Sequence, residues 1–295
     1  MITVMGATGH TGKEITARLL NAGEQVRAVG RSPSKLAELE HAGADPLAGD
    51  AADPAFLTDA FSGADAVYTL LPIDPRWPDF HAEANRLGEA IASAVRNADV
   101  RNVVALSAVG ADLASGTGFI ASLHAQEQRL RALDGTNVLI LRPGAFFESF
   151  YGALGLIKEQ GINGDSVSAD VRIPMIATRD IAAVAATALA ARDWKGVVVR
   201  ELLGPRDLSY AEVTSILGER IGKPNLEYVQ FPYADMAEAL MHMGFSENVA
   251  DLHVEMTQAF NDGTVASREG RNPANTTPTQ FEDFAAELAR AYKAA

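Results

Sequence analysis

The sequence predicts a doubly wound α/β fold: a parallel sheet covered by helices on both faces, with a smaller lobe supplied by the C-terminal half. Three observations predict it. Short apolar runs alternate with segments of helical period through the first half of the chain, which is the pattern of strands buried on both faces. The connections are short, and strand–helix–strand units of this kind cross over right-handed. The first junction from strand to helix is crowded with glycine.

Ile2 to Met5 is a short apolar strand that runs into glycines. A helix follows from Gly12 to Asn21, with Ile15, Leu19 and Leu20 on one face and Gly23 closing it. Gln25 to Val29 is the second strand. Ser32 then Pro33 is an N-cap followed by proline at the first helical position, opening a helix to about His41. Asp53 and Pro54 repeat that start signal. Ala66 to Leu71 is a buried strand, and Asp79 to about Asn97 is a long helix. Val103 to Ser107, a helix around Ser122 to Leu133, and Val138 to Leu141 complete the alternation.

The second half loses that rhythm. Ile181 to Ala191 reads as a helix against the sheet and Val197 to Leu203 as a strand. Ser209 to Glu212 is a capping box that opens a helix through Ile221, with Gly222 after it. Thr279 to Glu282 is a second capping box, before a last helix from Phe281 to Tyr292. Asp262 to Pro278, rich in Gly, Asn, Thr and Pro, reads as a loop.

Composition narrows the function. Of 295 residues, 47% are apolar and 21% charged, enough to bury a core and to exclude wholesale disorder. The net charge of -13 opposes nucleic acid and anionic membranes as primary partners. The absence of cysteine excludes disulfides, zinc–thiolate sites, iron–sulfur clusters and thiol nucleophiles. None of the six histidines forms a zinc-protease helix motif, and no metal is expected. No basic region precedes an apolar stretch at the N-terminus. The longest apolar run, Ile181 to Ala191, falls well short of the roughly 20 residues that span a bilayer. A soluble, cytoplasmic protein is expected.

The segment Gly6-Ala-Thr8-Gly9-His10-Thr11-Gly12 carries the strongest signal. At a strand–helix junction Gly6 makes the tight turn, Gly9 lets a pyrophosphate reach the backbone, and Gly12 lets helix and strand pack closely. The helix N-terminus then offers unpaired N–H groups to the phosphates. The end of the second strand selects the dinucleotide. No acid stands there to bind ribose hydroxyls; instead Arg31 and Lys35 suit a 2′-phosphate, so NADP(H) is the expected cofactor. Asp50 and Ala51 follow the third strand, where a carboxylate can accept from the adenine amine or serve only the turn. Leu70, Leu71 and Pro72 end the fourth strand, where the backbone is expected along the cofactor. Residues 1–149 are expected to form the Rossmann-type NADP-binding domain. Residues 150–295 are expected to form the substrate-side lobe, with about 176–203 returning to pack on the sheet.

At these residues the chain resembles an atypical short-chain dehydrogenase/reductase of the NmrA-like family. The resemblance rests on Gly6 to Gly12, Gly30 to Lys35, Ser107 to Gly110, Leu141 to Glu148, Arg179 to Ile181 and Thr277 to Thr279. It implies either an NADPH-dependent quinone reductase or a redox-sensing regulator. Ordinary members of the larger superfamily carry Tyr and Lys four residues apart on the helix after the fifth strand. That spacing puts both side chains on one face. The Lys lowers the Tyr pKa so that it can move a proton. None of the six tyrosines here has Lys four positions later, so the alcohol-dehydrogenase proton relay is absent.

Candidates for the gap are His124, on the expected helix, and Ser107, at the end of the fifth strand. His124 is a proton donor or a partly exposed helix histidine. Ser107 binds the substrate or nicotinamide, or satisfies nearby backbone. The resemblance puts Pro143, Gly144 and the Phe146-Phe147 pair against the nicotinamide, with the backbone near Gly144 favoured over either ring. Glu127 and Arg142 are expected to do structural work, and Asp180 to cap the helix after it. Met236 to Met243 with Phe245 lines an acceptor pocket or buries its own helical face. The expected partners are a small-molecule acceptor and, if the chain associates, a second copy in a homodimer. The two functions carried forward are a reductase of quinones or similar electron-poor acceptors, and a non-catalytic NADP(H) sensor acting through a protein partner.

Overall fold

The computed structural model describes residues 1–294. In chain order the first half holds β1 (Ile2–Met5), α1 (His10–Asn21), β2 (Val26–Gly30), α2 (Pro33–His41), β3 (Asp45–Ala48), α3 (Pro54–Phe61), β4 (Ala66–Thr69), α4 (Phe80–Asn97), β5 (Asn102–Leu106), α5 (Ile120–Arg131) and β6 (Asn137–Pro143). The remainder holds β7 (Ala145–Phe146), a 3-10 turn (Phe147–Tyr151), α6 (Leu154–Gln160), β8 (Ile162–Asp165), β9 (Ile173–Ile176), α7 (Thr178–Ala191), β10 (Val197–Leu202), β11 (Asp207–Leu208), α8 (Tyr210–Ile221), β12 (Glu227–Gln230), α9 (Tyr233–His242), α10 (Glu247–Asn261) and α11 (Phe281–Ala294).

Seven strands form one sheet in the order β10-β6-β5-β4-β1-β2-β3, and every pairing is parallel. The doubly wound α/β expectation is therefore met. The order reverses at β1, which lies between β2 and β4, so the crevice that binds ligands in such sheets opens beyond the carboxyl ends of β1 and β4. The core is two layers, one on each face. One joins Ile15 and Leu19 of α1 to Ile181, Ala185 and Leu189 of α7 across Val4, Val104 and Leu141. The other joins Leu57 and Phe61 to Ile91, Val95 and Leu130 across Val67, Val103 and Ile140. Side chains alternate between the layers along each strand because the strand period is two.

Local chemistry sets the helix starts. The side chains of Ser32, Asp53, Asp79 and Ser209 accept from N–H groups in the first turns of α2, α3, α4 and α8, satisfying donors that the helix leaves unpaired. The Glu148 carboxylate reaches across from the 3-10 turn to accept from the Thr178 N–H and hydroxyl at the start of α7.

Two expectations fail here for one reason. Thr279 does not cap the last helix, and Asp180 does not cap its own. Asp180 accepts from the Thr279 N–H at 3.0 Å and hydroxyl at 2.8 Å, tying α7 to the entrance of α11. Each residue meets a partner that is closer in space than in sequence.

The lobe adds a three-stranded sheet, β11-β9-β7, and a two-stranded one, β12-β8. Its core gathers Phe147, Phe150, Val213, Leu217, Phe281, Phe284 and Leu288. The chain between α10 and α11 is held down by Glu201, which is 2% exposed and accepts from the Ser267 hydroxyl and the N–H groups of Arg268 and Glu269.

Candidate functional site

The residues singled out in the sequence stand at the carboxyl ends of parallel strands: the glycine turn after β1, Arg31 after β2, Asp50 after β3, Leu70 to Pro72 after β4, Ser107 after β5, and Pro143 with Gly144 at the end of β6. One edge of the sheet collects them.

Gly6 takes φ +67°, a left-handed conformation that only glycine adopts freely, and its carbonyl oxygen accepts from the Gly9 N–H at 2.9 Å. Leu70 lies directly over Gly6. Gly9 is the N-cap of α1 and brings no capping side chain, and the first turn holds no acid. The start of α1 thus keeps its N–H donors and the positive end of its dipole free for an anion. Thr8 stands across the turn from Gly30, where an added Cβ would meet its methyl at 3.5 Å, and His10 is exposed. Thr11 is buried, and its hydroxyl accepts from Tyr68 at 3.2 Å, so this side chain serves the core.

Arg31 and Lys35 are exposed at the head of α2. Among the described residues, Glu38 pairs with Lys13 and Asp74 with Arg76, but neither Arg31 nor Lys35 has an ion-pair partner. The Arg76 guanidinium, aided weakly by the charge of Arg31, holds the Asp74 carboxyl at about 2. Asp50 accepts from the Ala52 N–H at 2.9 Å, an Asx turn before α3; Ala51, inside that turn, packs against the core layer of Leu57, Phe61 and Val67.

At the far end, Gly144 meets the lobe. A Cβ there would stand 2.3 Å from the Pro174 carbonyl oxygen, so strand packing already requires glycine. Phe147 is in the lobe core and Phe146 packs against the sheet. Half-buried His124 has Nδ1 3.0 Å from the Ala111 carbonyl oxygen. A carbonyl only accepts, so Nδ1 carries the hydrogen, and Nε2 of the neutral ring is a lone pair. Ser107 is 5% exposed and donates its hydroxyl hydrogen inward to Glu127 at 2.6 Å. Glu127 and Arg142 thus enter the site's immediate support. The signal in the sequence was one charge, Arg142, inside the largely apolar strand β6; Glu127 lies among polar residues of α5 and gave none.

The loop after β4 is fastened to the hairpin of α9 and α10: Ser246 bonds to the carbonyls of Pro75 and Trp77, and the Phe80 N–H donates to Asn248. Met243 and Ile73, 66% and 57% exposed, belong to these two joined segments. Only Leu240 is buried in α9, so its other apolar residues are not spent on a core.

Fold and site define a dinucleotide-binding protein of the doubly wound class. The model of a family described as NAD(P)H-binding matches residues 6–192. The NAD(P)H azoreductase of Xenophilus azovorans is 30% identical over 302 residues, spanning 100% of both chains. An NmrA-like family domain-containing oxidoreductase of Penicillium ochrochloron is 30% identical over 165 residues, 51% of this chain and 48% of that one. Among solved structures, the NADPH-dependent quinone oxidoreductase of Escherichia coli complexed with NADPH superposes with TM-score 0.81 at 22% identity, over 98% of this chain and 99% of that one. The chain belongs to the NAD(P)H-binding family.

Proposed function

We propose that this protein is an NADPH-dependent reductase of quinones, azo compounds or similar flat, electron-poor acceptors, acting by direct hydride transfer without a Tyr–Lys relay. The observation that carries the cofactor half is the uncapped, acid-free N-terminus of α1 beneath the glycine turn, with two exposed, unpaired cations one strand away. Gly6, Gly9 and Gly12 shape the cradle, Arg31 and Lys35 take the 2′-phosphate, and Leu70 to Pro72 with Pro143 and Gly144 flank the rest. A domain boundary near residue 149 belongs to the same reading. The azoreductase and the quinone oxidoreductase named above act on conjugated acceptors, which supports the substrate class.

The bound cofactor supplies the hydride. The chain's own work is to bind, orient and exclude water. Four of the tyrosines are poor acids: burial raises the phenols of Tyr68, Tyr151, Tyr210 and Tyr228 above their ordinary range. His124 can give a proton from Nε2 only as imidazolium, since its Nδ1–H is held by Ala111. An acceptor that is already electron-poor tolerates this, because the reduced oxygen or nitrogen can take its proton from water.

Steady-state oxidation of NADPH with a panel of quinones and azo dyes tests the reading. Turnover is expected, slower with NADH. If no acceptor is reduced although NADPH binds, the catalytic claim falls. The missing relay would then favour a cofactor-bound sensor, recognisable by a protein partner recovered in only one redox state of the cofactor.

A further inference from the structure

The carboxyl end of β5 continues into a buried polar chain. Ser107 donates to Glu127 Oε1 at 2.6 Å. Arg142 Nε donates to the same oxygen at 2.8 Å, and Arg142 Nη2 to Oε2 at 2.6 Å, a two-pronged clamp. Arg131 adds a longer bond to Oε2 at 3.4 Å. Glu127 is 2% exposed. Its carboxylate raises the Arg142 guanidinium further above its ordinary range, with Asp112 and Glu201 adding to the effect. The Ser107 backbone is also fixed, since its N–H donates to the Leu141 carbonyl at 2.7 Å.

This geometry decides what Ser107 can do. A carboxylate clamped by a guanidinium has no hydrogen to give, so Ser107 is the donor in their bond. A serine hydroxyl owns one hydrogen, and here it is spent inward. What remains toward the crevice is lone-pair capacity, strengthened because the O–H is polarised by a buried charge. Ser107 therefore accepts and does not donate.

We propose that Glu127 and Arg142 are positioning residues that hold Ser107 as a hydrogen-bond acceptor for a donor on the nicotinamide half of the cofactor, either the carboxamide N–H or a ribose O–H. The inference rests on the reading that the nicotinamide lies at the ends of β5 and β6. Its consequence is that Ser107 gives no hydrogen bond to the carbonyl of an acceptor, so orientation of the hydride donor, rather than polarisation of the substrate, is its task.

The test is binding of NADP⁺ and of its 3-acetylpyridine analogue, which lacks the carboxamide N–H, in calorimetric titrations. Ser107→Ala is expected to weaken NADP⁺ about tenfold, the order of one buried hydrogen bond, and Ser107→Thr to restore it. If the loss vanishes with the analogue, the carboxamide is the donor; an equal loss with both points to the ribose. Replacing Glu127 and Arg142 together by Met keeps the interior neutral and frees the hydroxyl. In that background Ser107→Ala should cost only about threefold, the coupling that a double-mutant cycle reads. An equal tenfold cost in both backgrounds overturns the positioning role. No loss on Ser107→Ala in the parent overturns the acceptor role, and that measurement stands even where the double Met variant does not fold. A protein that binds neither dinucleotide overturns the reading of the crevice as well.

Discussion

Replacing Gly9 and Gly12 singly by alanine separates what the opening turn does for the fold from what it does for the ligand. A Cβ on Gly12 would fall 2.2 Å from the Gly6 carbonyl oxygen, 2.7 Å from its carbonyl carbon and 2.9 Å from Ala7 Cα. All three are backbone atoms, so no side chain can swing aside. Ordinary contact begins near 3.4 Å, so turn or helix must give by 1.2 Å (3.4 minus 2.2). Overpacking of that kind costs about 1–3 kcal/mol, which lowers Tm by roughly 2–6 °C in a chain of this size. Gly9 differs. Its Cβ would meet the Gly6 oxygen at 3.4 Å, an ordinary contact, and its φ of -85° suits alanine. Stability of Gly9→Ala should stay within about 0.5 kcal/mol of the parent. The new methyl nevertheless stands where a pyrophosphate must reach the backbone. Losing one charge-assisted hydrogen bond there removes about 1.5–3 kcal/mol, or about 10- to 150-fold in Kd. Thermal melts beside fluorescence titrations with NADPH check both halves. A Gly9→Ala protein that binds NADPH like the parent would show that no phosphate rests on this turn.

Three further outcomes are expected. Replacing Arg31 and Lys35 together by Ala should remove most of the preference for NADPH over NADH while leaving Tm unchanged, because neither side chain has a partner to lose; an unchanged affinity ratio refutes the assignment. Burial raises the Asp165 carboxyl from its ordinary 3.8 and lowers neighbouring His253. A raised folded-state pKa means stability is fully present below 3.8 and lost as pH rises through the folded value. Asp165→Asn should therefore gain Tm relative to the parent as pH rises from acid to neutral, and a Tm difference that stays level or falls with pH in matched melts counts against it. Asp180→Ala leaves the Thr279 N–H and hydroxyl without their buried acceptor. It should cost about 1.5–3 kcal/mol and speed proteolytic nicking between α10 and α11, whereas a cleavage pattern like the parent's would show that the tie does not hold that segment.

What the sequence conveyed and what it hid follow from the range of the interactions. The strands and helices of the first half, and α8 in the second, were legible because each announces itself within a few residues. Apolar runs end in turns, Ser32-Pro33 and Asp53-Pro54 open helices, and Gly23 and Gly222 close them. Local hydrogen bonds then realise those signals at Ser32, Asp53, Asp79 and Ser209. The small sheets were not legible. β7 and β11 have only two residues each, too short for a period of two to register, and β8 pairs with β12 across sixty-odd positions (Glu227↔Ile162). The same holds for Thr279 and Asp180, whose motifs were visible but whose meeting was not. In the candidate site the glycine turn and the cation pair could be read because position along the chain fixes position on the sheet edge. The bond between Ser107 and Glu127, twenty residues apart, could not.

The buried network at Ser107 and the missing Tyr–Lys pair bear on chemistry in the same direction. Reduction of an ordinary ketone needs a hydrogen-bond donor against the carbonyl oxygen, because the alkoxide that forms is strongly basic. Here the serine at the end of β5 has spent its hydrogen on a carboxylate, and desolvation shifts the phenols of Tyr68, Tyr210 and Tyr228 away from acidity. His124 offers Nε2 as a lone pair unless the ring is charged. On the proposed function, a site without a serine, tyrosine or neutral histidine donor would discriminate by the acceptor's own electron demand. Quinones would meet that demand through their conjugation and leave a weakly basic phenolate, whereas the more basic nitrogen left by an azo compound would draw its proton from water as it forms. On the same reading saturated carbonyl compounds would be poor substrates, and turnover of a simple ketone at a rate like that of a quinone would count against it.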